Sequence, residues 1–91
     1  MEKLNSRQRN LLRKKAHNLK PVVIIGKNGV TAEIISAVDA ALADHELIKI
    51  KFLDFKEDRK VLSSSLSISV KADVISVIGN IAILYREMDK L

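Results

Sequence analysis

Ninety-one residues suffice for one domain around a single modest core, with no second module. Apolar residues at 47% and charged ones at 30% exclude a disordered chain, and the absence of cysteine excludes disulfide scaffolds and thiolate metal sites. The net charge of +5 is unevenly spread: residues 1–20 hold seven Lys and Arg against Glu2 alone, +6, which leaves −1 for the rest, and such asymmetry points to nucleic acid or an anionic membrane surface.

Asn5 followed by Gln8 has the form of a capping box and predicts a helix from Ser6 or Arg7. Leu12, Ala16 and Leu19 fall on one stripe at i, i+4 and i+7, widened by Leu11. Pro21 sets the expected end, because its predecessor disfavours helical backbone. Val22 to Ile25 is a β-branched run that suits a strand covered on at least one face. Thr31 is a good N-cap, Glu33 suits the dipole, and Ile34, Ile35, Val38, Ala41 and Leu42 form a helix face ending near Asp44.

Leu47 to Leu53 alternates, with Ile48, Ile50 and Phe52 on one side and Lys49 and Lys51 together on the other. The segment 56–72 carries two patterns. Ser64 to Val70 alternates like a strand, while Leu62 and Leu66 form a helical ridge, and a helix over about 57–70 is the preferred reading. Val74 to Ile78 and Ile81 to Arg86 read as strands joined by a Gly79-Asn80 turn.

The order α-β-α-β-α-β-β predicts a two-layer α/β sandwich with a four-stranded mixed sheet. Helices between strands imply parallel pairing, and the terminal hairpin adds one antiparallel pair.

The stretch Gly26-Lys27-Asn28-Gly29 joins a strand to a helix. Glycines at this spacing let the backbone come close to a ligand, the following helix points free N–H groups at the same place, and Lys27 adds a full charge. That is a local design for holding phosphate. It is not a Walker motif, having neither the spacing nor the Lys-Ser/Thr ending.

Three blocks resemble the CRM domain in its bacterial stand-alone form, the YhbY family. They are the run from Arg13 to Thr31, His45-Glu46-Leu47-Ile48-Lys49-Ile50-Lys51, and the tail from Val77-Ile78-Gly79-Asn80 to Leu84-Tyr85-Arg86. They occur in register across nearly the whole chain. The resemblance implies an RNA-binding protein associated with large-subunit ribosomal precursors. It also implies a fold like the C-terminal domain of translation initiation factor three, with RNA contacts at Gly26, Lys27, Asn28 and Gly29 and on neighbouring basic surface. The Ser63–Ser69 tract departs from the expected helix-prone sequence.

Phosphate contacts need Lys and Arg, and Arg7, Arg9, Arg13, Lys14, Lys15, Lys20 and Lys27 are the candidates. They cannot all share one helix face, so about half should touch RNA. His17, Lys49, Lys51 and Arg86 are secondary candidates, each as well explained by a solvated surface. With no Trp and only Phe52, Phe55 and Tyr85, backbone and shape recognition is expected over base stacking.

No catalytic set emerges. His17 and His45 lack partners for a zinc site, and Asp54, Glu57 and Asp58 beside Lys56, Arg59 and Lys60 read as a solvated helix start. The reading is a cytoplasmic RNA-binding module with no cofactor, no metal, no small-molecule substrate and no membrane partner. No run approaches a membrane span, and MEKLNSRQRN is not a signal peptide. Two alternatives stay open: a protein-interaction module on the ribosome, and an architectural DNA-binding protein.

Overall fold

The computed structural model describes residues 4–88. Its elements are α1 (Ser6–Ala16), β1 (Pro21–Ile25), α2 (Ala32–His45), β2 (Leu47–Phe52), α3 (Arg59–Ser69), β3 (Asp73–Ile78) and β4 (Ile81–Tyr85), in the expected order.

The four strands form one mixed sheet in the order β1-β2-β4-β3. β1 pairs with β2 in parallel, and β4 lies antiparallel to both β2 and β3. The sheet therefore has two antiparallel pairs where the sequence predicts one. The cause is that β4 inserts between β2 and β3 instead of extending the sheet beyond them. Ala82, Ile83 and Leu84 are buried in succession, as a central strand covered on both faces requires.

β2 divides the protein. Ile48, Ile50 and Phe52 join Val23, Ile25, Ala82 and Leu84 on the face packed by α2 and α3. Val38 and Leu42 of α2 and Leu66 of α3 complete this dry core. On the other face Ala16 of α1 packs against Ile75 and Ile83, with Leu12, Leu47, Ile81 and Tyr85 around them.

α1 ends at Ala16, earlier than Pro21 would impose. Its start is as expected, because Asn5 and Gln8 complete the reciprocal capping box. At its end the His17 N–H donates to Lys14 O, and the Leu19 N–H donates to Ala16 O at 3.0 Å. The Lys49 ammonium donates to the His17 carbonyl at 3.0 Å. A cation from the sheet thus satisfies a helix-end carbonyl, and Leu19 leaves the apolar stripe.

The serine-rich segment is helical despite its modest propensity. The Ser67 hydroxyl donates to Ser64 O at 2.7 Å and the Ser69 hydroxyl to Ser65 O at 3.2 Å, so these side chains bond back along the helix. The buried ridge of Leu66 with partly buried Leu62 decides the outcome.

Arg86 follows β4 and clamps the helical side. Its guanidinium donates to the Asp39 carboxylate at 2.6 Å, to Asp39 O at 3.0 Å and to Val70 O at 2.9 Å. Arg86→Ala should lower stability by about 1–3 kcal/mol, because the Val70 carbonyl loses a charged donor in a partly buried setting. Asp39→Ala removes only an exposed pairing and should cost less than about 1 kcal/mol. Urea unfolding midpoints compare the two, and equal losses would contradict this division.

Candidate nucleic-acid interface

β1 and β2 end side by side, and the β3–β4 turn lies at the same end of the sheet. The Leu53 N–H donates to Ile25 O at 2.9 Å and the Phe52 N–H to Asn80 O at 2.8 Å, which ties the three loops together. Arg59 reinforces this end by donating to Asp54 O and Gly79 O, each at 3.2 Å.

Within this frame residues 26–29 make a tight turn closed by Gly29 N–H to Gly26 O at 3.0 Å. The two glycines have different reasons to be there. Gly29 sits at φ +72°, and a Cβ on it would stand 3.4 Å from the Phe55 ring, so the fold itself favours glycine. Gly26 has no such backbone demand, and a Cβ there would meet no heavy atom within 4 Å. Lys27 and Asn28 at the tip are exposed.

Phe55, which supports Gly29, itself holds φ +60°. That is costly for a bulky side chain, and its N–H is held by the Asp54 carboxylate at 2.7 Å. The loop 53–58 is thus a brace under the glycine turn. Nothing in the local sequence marks it, because the contact between Phe55 and Gly29 exists only once β1 and β2 pair.

After the turn, Thr31 Oγ1 accepts from the Ile34 N–H at 3.2 Å and caps α2. Glu33 occupies the first turn and offsets part of the dipole there. Anion attraction at this corner therefore depends more on Lys27 and the turn's own amides than on the helix.

The basic residues of α1 divide into groups. Arg7, Arg13 and Lys14 are exposed. Arg9 is turned toward the sheet and donates to Val74 O at 2.7 Å, which commits it to holding α1 on β3. Lys15 and Lys20 line a groove of 610 Å³ with Leu12, Leu47 and Tyr85 at the start of β2. The Tyr85 phenol is raised above its ordinary pKa by burial, and then by Glu46, Glu87 and Asp73, so it stays protonated at neutral pH.

Among the secondary candidates, His17 is exposed at the end of α1, and Lys49 is engaged with its carbonyl. Lys51 is half-buried on the α1 side of the sheet. Arg86 belongs to the clamp on the helical side, away from the glycine turn. The structure thus gathers Gly26, Lys27, Asn28, Gly29 and Lys51 at one sheet end, with α1 crossing the same face as Lys51.

Residues 4–86 match the CRS1/YhbY (CRM) domain. The chain belongs to this family. A probable RNA-binding protein of Pseudomonas aeruginosa is 36% identical over 88 residues, which cover 96% of this chain and 85% of that protein. YqeI of Bacillus subtilis, also named a probable RNA-binding protein, is 35% identical over 85 residues, covering 92% and 88%. The solution structure of a hypothetical protein from Staphylococcus aureus is similar to this CRM domain with a TM-score of 0.84 at 36% identity. It covers 97% of this chain and 93% of that one.

The contrast between the glycines gives a direct expectation for the CRM turn. Gly29→Ala should destabilise the fold by about 1–2 kcal/mol, the cost of left-handed backbone with a Cβ. Gly26→Ala should leave the thermal midpoint unchanged within about a degree, since it meets neither strain nor contact. Thermal unfolding of both variants checks this, and a loss at Gly26 equal to that at Gly29 would refute it.

Proposed function

We propose that this CRM domain is a cytoplasmic RNA-binding module that associates with large-subunit ribosomal RNA precursors and assists their assembly. The 26–29 turn sits against the RNA backbone, with Lys27 and Asn28 as its polar contacts. Arg7, Arg13 and Lys14 supply further cations from α1, while Arg9, Lys49 and Arg86 serve the fold. This is a binding role with no catalytic step.

The observation that carries the reading is the open space at Gly26. The fold does not require glycine there, yet its absence of side chain exposes backbone beside an uncovered lysine. A surface that lets an anionic backbone approach closely has a use for both features. Relatives named for RNA binding support the partner class. The YhbY resemblance supports the ribosomal precursor.

The test is a binding titration against large-subunit ribosomal RNA across a salt series. Lys27→Asp/Asn28→Asp should bind at least about tenfold more weakly, and its log K against log salt should flatten by about 0.7–0.9 for each phosphate the variant no longer neutralises. Circular dichroism should match that of the wild type. Gly26→Ala should also weaken binding while keeping the salt slope, because it blocks approach without removing a charge. Unchanged affinity in both variants would leave the turn a simple connection between strand and helix.

A further inference from the structure

Beside the glycine turn, part of the α1 side of the sheet is left bare. Ile24 pairs with Lys51, Lys51 with Ile81 and Ile81 with Ile78, so these side chains form one row across all four strands. At about 4.8 Å between strands the row spans roughly 14 Å. Leu53 follows directly after β2, and its N–H still donates to Ile25 O at 2.9 Å. Ile24 is 54% exposed, Leu53 62% and Ile78 67%, while Lys51 and Ile81 between them are half-buried, Ile81 at the edge of the α1 cluster.

Single exposed aliphatic side chains are ordinary on protein surfaces. A row in register is a patch, and cations stand beside it, with the neighbouring Asp54 carboxylate accepting from the Phe55 N–H. Lys51 stands within it, and Lys27 lies on the turn that follows β1. α1 crosses the sheet next to it. Lys15 faces the groove at the start of β2, so at 100° per residue Arg13 falls on the opposite flank, toward the row. Among the described residues, Asp73 is the only acidic residue within a strand, and it pairs with Tyr85 at the far end of the sheet.

We propose that this row is a platform for unpaired nucleotides of the bound RNA. Aliphatic side chains cover the faces of bases and riboses, and Lys51, Lys27 and Arg13 hold the adjoining phosphates. The proposal rests on the RNA-binding reading above and narrows it to RNA that carries unpaired nucleotides beside a helix. A uniform duplex keeps its base faces stacked and offers an apolar row nothing, whereas loops and bulges expose them. Aromatic stacking is unavailable on this face near the turn, because Phe52 is buried in the main core and Phe55 packs under Gly29. A protein partner of ordinary charge would gain less from the cations around the row than a polyanion does.

Two RNA hairpins of the same sequence, one fully paired and one with a bulge of unpaired nucleotides, are compared by fluorescence anisotropy. Wild type should prefer the bulged probe by about tenfold, the affinity gained by covering the row. Ile24→Thr/Ile78→Thr alters only exposed positions and keeps β-branched residues, so its unfolding midpoint should hold. It should lose the preference while retaining the salt slope and the affinity for the paired probe.

Lys27→Asp/Asn28→Asp should weaken both probes, which separates the row from the turn. Equal wild-type binding to the two probes overturns the platform and leaves the RNA reading standing. A preference retained by the isoleucine variant also overturns it, and leaves the row to a protein partner. Binding to neither probe refutes the RNA reading and the platform with it.

Discussion

The alternation along β2 decides which surface of the sheet becomes dry and which is shared between α1 and solvent. Ile48, Ile50 and Phe52 are sealed under α2 and α3, so Leu47, Lys49 and Lys51 must project to the opposite side. Slipping this strand by one residue would place two lysines in the core and three large apolar side chains in water. The register of β2 is therefore strongly fixed, and β1 and β4 take their positions from it through ladders on either side. The alignment of strand ends follows, and that alignment brings the glycine turn, the 53–58 brace and the β3–β4 turn together.

The second face is only partly covered. α1 rests on Ile75 and Ile83 through Ala16, a residue small enough for the helix to lie close to the sheet. Two cations lock it: Arg9 on the Val74 carbonyl near one end and Lys49 on the His17 carbonyl at the other. These bonds use charge that would otherwise read as part of a polyanion-binding surface. Lys51 and Arg13 stand beside the uncovered part of the same face, while Lys15 and Lys20 border the groove at the start of β2. Basic composition alone therefore does not mark a binding surface, and only geometry separates the cations that hold the fold from the free ones.

Much of the fold was legible because its signals are local. The Asn5–Gln8 cap, the Thr31 cap, the β-branched runs and the Leu62–Leu66 ridge each act within a turn or two of chain. The end of α1 was not, because Lys49 reaches it from a strand far along the sequence. The place of β4 was not, since insertion between β2 and β3 depends on pairing that no hairpin turn specifies. Its uninterrupted Ile-Ala-Ile-Leu run was a usable hint of burial on both faces. At the candidate site, the strand-to-helix turn with its two glycines was legible in the sequence, and the structure shows Lys27 exposed at its tip. Arg9 and Arg86 could not be told from free cations, because a guanidinium's partner is set by tertiary contact. The bare row escaped as well: Ile24 and Ile78 look like core residues in any alternating strand, and only the short reach of α1 leaves them uncovered.

RNA is proposed to lie at one end of the sheet, on the side that α1 only partly covers. Amide chemical-shift mapping tests this on the intact chain, titrating an isotope-labelled sample with a bulged hairpin of large-subunit ribosomal RNA. The largest shifts should cluster at Gly26 to Gly29, Ile24, Lys51, Leu53 and Ile78 to Ile81, with smaller ones along the Arg13 flank of α1. The outer surfaces of α2 and α3 should stay still. Shifts concentrated on α3 around Val61 and Ile68, with the glycine turn silent, would contradict it.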